Sequence, residues 1–114
     1  MVISAELRSR LENTPYACFM GFRLLELAEG YARVGVTLRP EYANFLGATD
    51  GAFIMSLAEH AHACAASTLG PTRVGAQSSI NFISGSGLQG ELVAEARTIH
   101  AGRTLAITEV RVTD

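Results

Sequence analysis

The sequence predicts an α+β domain in which a curved antiparallel sheet wraps one long central helix, with a short helix ahead of it. Three observations predict this. An apolar run from Ala52 to Leu69 sits between Asp50-Gly51 and Gly70-Pro71, a helix start and stop signal. Strand-like stretches flank it, two before and three after. Glycine-bearing turns separate those stretches, and no repeat, linker or low-complexity segment interrupts them. Several antiparallel strands must bury one face, and the apolar helix is the only object to bury it on.

The elements follow in order. From about Ser4 to Asn13, Leu7 and Leu11 line up one helical turn apart with charges between them, and Pro15 is expected to stop that helix. Phe22 to Ala28 and Tyr31 to Leu38 alternate around Glu29-Gly30, a hairpin with its turn glycine in place. In the second of these, Arg33, Gly35 and Thr37 share one face and Val34, Val36 and Leu38 the other. Arg39 to Thr49 reads as a loop containing Pro40, Asn44 and Gly47. After the central helix come strands at Arg73 to Ile83, Glu91 to His100 and Arg103 to Val112. The loop Ser84-Gly85-Ser86-Gly87 joins the first two, and Ala101-Gly102 joins the last two as a tight hairpin. In the last strand Leu105, Ile107, Val110 and Val112 oppose Thr104, Thr108, Glu109 and Arg111, with one register irregularity near Thr108. A strand ends close to Asp114 without a closing element, so the expectation is either a sheet short by one strand or a natural chain that continues further.

Composition narrows the function. The 114 residues make one domain, 1–114, with room for a single core. Hydrophobic residues are 48% of the chain, which points to apolar surface shared with another copy, a homo-oligomer. Net charge is −2 with no basic run, so a phosphate-backbone partner is excluded. The central run carries Glu59, His60 and His62 in its middle and is too short and polar to span a bilayer. The first residues lack the charged and apolar regions of a secretory signal, and the two cysteines, Cys18 and Cys64, lack metal-type spacing. A cytoplasmic protein with reduced thiols is the expectation.

One residue in the central helix needs a reason. An ionised Glu in an apolar helix is costly unless paired or useful, which singles out Glu59. His60 and His62 are two residues apart, so they point to different sides of the helix and make a poor metal pair. No metal or cofactor is expected. Ser56 lacks a Gly-x-Ser-x-Gly setting, which argues against a serine hydrolase.

The stretch Asn44-Phe-Leu-Gly47-Ala-Thr-Asp50-Gly51-Ala52, continuing into Leu57-Ala58-Glu59, resembles the signature of the hotdog-fold acyl-CoA thioesterases of the PaaI-like, phenylacetate-degradation group. That group has Asn and Gly ahead of a His-Gly-Gly helix start and Leu-Ala-Asp/Glu within the helix. Ser79-Ile80-Asn81-Phe82, Gly90 to Arg97 and Ala101 to Ala106 look like its later strands, so the resemblance covers roughly residues 10 to 114. It implies a hotdog fold and hydrolysis of an acyl-CoA thioester. It also implies a catalytic carboxylate at Glu59 and a backbone N–H at Gly51 that polarises the carbonyl. Asn44, Gly47, Asp50 and Phe53 would shape the substrate site, with an acyl pocket near Phe53, Met55 and the Asn44 loop. Arg103 and Arg73, or the loop at Gly85 and Ser86, would meet coenzyme A. Three departures stand out: Asp50 replaces the usual His, Ala52 the second Gly, and Ile83-Ser84-Gly85 the usual Leu-Arg-Pro.

Such chemistry needs donors for the oxygen that gains charge, and a base or nucleophile for the acyl carbon. Gly51 and Glu59 are eight residues apart, roughly 12 Å along a helix axis at ~1.5 Å per residue. One acyl carbon cannot touch both, so acting together requires two copies of the chain. Two rivals remain: an acyl-CoA-binding protein without turnover, and a hydratase on the same fold. The hydratase needs an Asp/His pair ahead of the helix that this sequence lacks.

Overall fold

The computed structural model describes residues 3–114. Helix α1, Ala5–Glu12, is capped by Ser4, whose hydroxyl accepts from the Leu7 N–H. Pro15 does not simply end this helix. It opens a second, α2, Pro15–Met20, because proline at the first helical position lacks only an N–H that would go unused there. Strands β1, Arg23–Ala28, and β2, Tyr31–Thr37, form the expected hairpin. A short 3-10 turn, Pro40–Tyr42, leads to the long helix α3, Gly51–Ser67. Strands β3, Glu91–Ala101, and β4, Ala106–Thr113, complete an antiparallel four-stranded sheet in the order β1-β2-β3-β4.

Side-chain size explains how the sheet holds α3. Two inward rows cross all four strands: Leu27, Ala32, Ala96 and Val110, then Leu24, Val34, Ala94 and Val112. The central positions are alanine except Val34, and the outer ones are valine or leucine, which leaves a shallow trough along the middle of the sheet. Phe53, Leu57, Ala61, Cys64 and Ala65 form the buried stripe of α3 that fills it, at spacings of three, four and one residues. Alanines on both sides let helix and sheet approach closely, while Leu57, with no exposed surface, supplies bulk. The helix ends at Ser67, two residues before the expected end at Leu69, and Thr68 caps it. Its buried hydroxyl accepts from the Gly30 N–H and donates to the Ala65 carbonyl, both at 2.7 Å, which ties α3 to the β1–β2 turn. The arrangement is the sheet around a helix that the sequence predicts.

Three expectations need correction. First, residues 73–83 form no strand of this sheet. The segment is extended, but among the described residues no backbone group from Thr72 to Gly85 finds a hydrogen-bond partner. It crosses α3 instead, with Gly75 beside Glu59 and Phe82 over Gly51. Second, the last hairpin is not a two-residue turn at Ala101-Gly102. Ala101 still pairs with Ala106, and the Gly102 N–H closes a wider loop on the Leu105 carbonyl at 2.7 Å, so β4 begins at Ala106. Third, Ile107 faces outward with Glu109 and Arg111. The irregularity expected near Thr108 lies in the facing strand, between Thr98 and His100, and β4 itself alternates without a break.

The apolar character of α3 also exceeds what its own sheet covers. Ala52 and Ala63 are exposed, and Ile54 and Met55 only half-buried. The outer face of the sheet is polar, with Glu26, Arg33, Glu95 and Arg111 side by side across the four strands. There the Tyr31 hydroxyl donates to the Glu95 carboxylate at 2.8 Å, which, with the nearby Arg97, holds that carboxyl below its ordinary range.

Candidate active site

The start of α3 is the most organised corner of the molecule. Asp50 is the N-cap, as expected, its carboxylate accepting from the Ala52 N–H at 2.8 Å. The Asp50 carbonyl takes the Ile54 N–H. Among the described residues, nothing accepts the Gly51 N–H. A free donor therefore stands at the positive end of a long helix, beside the capping charge.

The ring tip of Phe82 closes one side of this corner. A β-carbon built on Gly51 would lie 3.2 Å from its terminal ring carbon, a tight contact that the ring would have to yield to by a few tenths of an ångström. Behind the helix start, Thr49 anchors the glycine-rich loop. Its N–H donates to the Ser86 carbonyl at 2.9 Å and its hydroxyl to the Gly87 carbonyl at 2.5 Å. Gly85 and Ser86 thus sit at the helix start.

The loop before the helix is shaped by Asn44. Its side-chain oxygen accepts from the Leu46 and Ala48 N–H groups at 2.9 and 3.1 Å, and its own N–H donates to the Ala48 carbonyl at 2.7 Å. Gly47 completes the turn at φ +81°, a conformation glycine adopts without cost. Asn44 is therefore committed to its loop, which holds Phe45 and Leu46 out into solvent.

Phe53 is a core residue. Its ring stacks on Tyr42 with centroids 3.9 Å apart and packs against Phe22. One edge of it lines a cleft of about 260 Å³ with Tyr16, Met20, Glu41, Tyr42 and Asp50. Met55 and Asn44 do not line this cleft. Tyr42 forms its wall because its hydroxyl is held between the Arg39 guanidinium and the Met20 carbonyl.

Glu59 lies two turns along α3 from Gly51. Its side chain is 48% exposed, and the ring of His62 lies near it, with Nδ1 3.7 Å from Oε2, too long for a hydrogen bond. Gly75 passes beside its other oxygen, where an added β-carbon would come to 3.6 Å. Neither a loop nor a histidine satisfies this carboxylate within the described residues. His60 is spent on packing: its ring lies against Phe22 at 5.8 Å, its Nε2 is 3.6 Å from the Cys64 sulfur, and burial lowers its pKa. Burial likewise pushes the Cys64 thiol up to about 12, which leaves it inert.

The expected coenzyme A contacts separate. Arg73 donates to the Gly102 carbonyl at 2.9 Å, at the hairpin that carries Arg103, while Gly85 and Ser86 sit at the other end of the extended segment. The segment itself was the part the sequence hid. Phe82, Gly75 and Thr49 carry no chemistry of their own, and only the Ser79 to Phe82 motif signalled that this stretch mattered.

Comparisons with known proteins agree on one family. The sequence profile of the thioesterase superfamily matches residues 46–114. A curated relative, named putative esterase, from Archaeoglobus fulgidus is 33% identical over 84 residues, 74% of this chain. The match spans about half of that protein, 54% of its length. Among solved structures, a substituted form of the phenylacetic acid degradation protein PaaI from Thermus thermophilus is 28% identical. It superposes with a TM-score of 0.84, covering 87% of this chain and 85% of that one. A Streptococcus mutans protein solved with acetyl-CoA bound is 27% identical, with a TM-score of 0.80 over 83% of this chain and 77% of that one.

Proposed function

The chain belongs to the thioesterase superfamily, with a hotdog fold like that of PaaI, and on that premise we propose that it hydrolyses an acyl-CoA thioester in the cytoplasm. The observation that carries the proposal is the pairing of two groups on one helix that find no partner among the described residues: the Gly51 N–H without an acceptor, and the Glu59 carboxylate without a donor. The N–H stabilises the oxyanion that forms as the thioester carbonyl is attacked. Glu59 activates the attacking water or attacks the acyl carbon itself. The acetyl-CoA held by the Streptococcus mutans protein supports coenzyme A as the carrier. Arg103, at the exposed hairpin, is the cation offered to its phosphates, with Gly85 and Ser86 as the alternative at the helix start.

The separation of the two groups by eight positions supports a dimer. At ~1.5 Å per residue they stand roughly 12 Å apart, so each site takes Gly51 from one copy and Glu59 from its partner. The unpaired backbone of residues 72–85, with the exposed Val74 and Ile83, supplies the edge on which a second copy assembles. Two such dimers can associate further.

The deciding experiment measures release of free thiol from a panel of acyl-CoA esters, with the wild type beside Glu59→Gln. The substitution keeps shape and removes the basic carboxylate, so the rate is expected to fall at least ~100-fold. Binding of acyl-CoA with no thiol release would replace the hydrolase with a binding protein. A strictly monomeric, active protein would refute the shared site.

A further inference from the structure

We propose that Phe82 sets the bulk tolerated at the acyl α-carbon. The inference rests on the thioesterase reading, in which the Gly51 N–H holds the carbonyl oxygen. It adds a residue that neither the helix motif nor the carboxylate implies.

The geometry runs from one contact. The terminal ring carbon of Phe82 is 3.2 Å, and a neighbouring ring carbon 3.4 Å, from the position a β-carbon on Gly51 would take. That position and the Gly51 nitrogen flank the same α-carbon about 2.5 Å apart, so the ring tip lies within ~6 Å of the donor. Both face the same way, since helical Cα–Cβ bonds tilt toward the N-terminus, where the first N–H groups also point. A carbonyl oxygen on that donor sits ~2.9 Å out, toward the same end of the helix. The acyl α-carbon is two bonds from the oxygen and so falls within reach of the ring.

The three atoms nearest that β-carbon position all belong to the Phe82 ring. Asp50 is turned to the Ala52 N–H, and Ser86 and Gly87 present carbonyls to Thr49. Phe82 itself is 59% exposed, so one face of the ring is free to meet a substrate. A straight acyl chain leaves the α-carbon two hydrogens and clears the ring edge. An α-branched chain puts a methyl where the ring stands. One methyl at an apolar wall discriminates by about 10- to 200-fold.

The test compares kcat/KM for propionyl-CoA and isobutyryl-CoA in the wild type, Phe82→Leu and Phe82→Ala. Taking the ratio of the two substrates and following its change on mutation cancels their intrinsic reactivities. Phe82→Ala is expected to narrow the preference for the straight chain about 10-fold by raising turnover of the branched ester, with Phe82→Leu between. A ratio unchanged within ~2-fold while propionyl-CoA still turns over overturns the role of Phe82. So does equal loss of both activities in a variant that keeps its thermal transition, since Phe82 would then be required without selecting. If Phe82→Ala does not fold, Phe82→Leu decides on the same ratio. A wild type that releases no thiol from any ester refutes the thioesterase reading, and this inference with it.

Discussion

Gly51→Ala separates space from hydrogen bonding at the start of α3. The substitution keeps the backbone N–H and adds one methyl, 3.2 and 3.4 Å from two carbons of the Phe82 ring. Carbon pairs settle at about 3.5–4.0 Å, so the ring must withdraw by a few tenths of an ångström. It can do so, because the contact is the far end of a side chain that is 59% exposed. Turning it off its rotamer costs about 0.5–1.5 kcal/mol. Alanine returns up to ~1 kcal/mol of helix propensity, so net stability should change by less than ~1 kcal/mol. Activity should respond more strongly. A misplacement of 1 Å costs on the order of 100-fold, so a shift of a few tenths of an ångström predicts a loss of about 3- to 10-fold in kcat/KM. Urea denaturation and thiol release on the same preparation read both quantities. Adding Phe82→Ala removes the collision, so the double variant should regain what Gly51→Ala lost relative to Phe82→Ala alone. Strict additivity in that cycle would refute the steric account, as would destabilisation beyond ~2 kcal/mol.

Two further outcomes follow from groups near the site. Burial favours the neutral form of His60, so below its ordinary pKa of ~6.5 the unfolded chain binds more protons than the folded one. Stability should therefore be at its full value above that pH and fall from there down to the depressed folded value. Urea midpoints at pH 7.5 and 5.5 should show a smaller drop in His60→Phe. Asn44→Ala removes the acceptor of two loop N–H groups at 2.9 and 3.1 Å and should cost about 1–2 kcal/mol. Faster hydrogen exchange confined to residues 44–48 would report it, and unchanged protection there would contradict the assignment.

How far the sequence was legible depended on what each segment pairs with. Strands that meet inside the chain could be read: the alternation of Tyr31 to Thr37 and the glycine of the Glu29-Gly30 turn specify a local hairpin. The Asp50-Gly51 start marked the cap of α3, whereas a run apolar on almost every face did not show which stripe the sheet would bury. The stretch from Arg73 to Ile83 read as a strand for sound compositional reasons, yet composition does not say which edge a strand will find. Within one chain it finds none and lies across the helix instead. Ile107 was misassigned because its apolar side chain suggested a break in register, whereas β4 alternates without one and sets it beside Glu109 and Arg111. At the candidate site, Glu59 stood out because it interrupts an apolar run, and Gly51 entered through the family resemblance. Phe82 did not stand out, because an aromatic in a strand-like run looks like core. Its role follows only from the chain crossing the helix start.

The graded rows of the sheet have a consequence for how this fold changes over time. Ala32, Ala94 and Ala96, all fully buried, act as a spacer that sets the height at which α3 rides. The helix carries both Gly51 and Glu59, so a single methyl added beneath it lifts the two together while leaving every residue of the site unaltered. Substrate range can thus drift through the floor of the molecule. Variation among relatives at these inward alanines carries information about catalysis that a comparison confined to the residues touching substrate would miss.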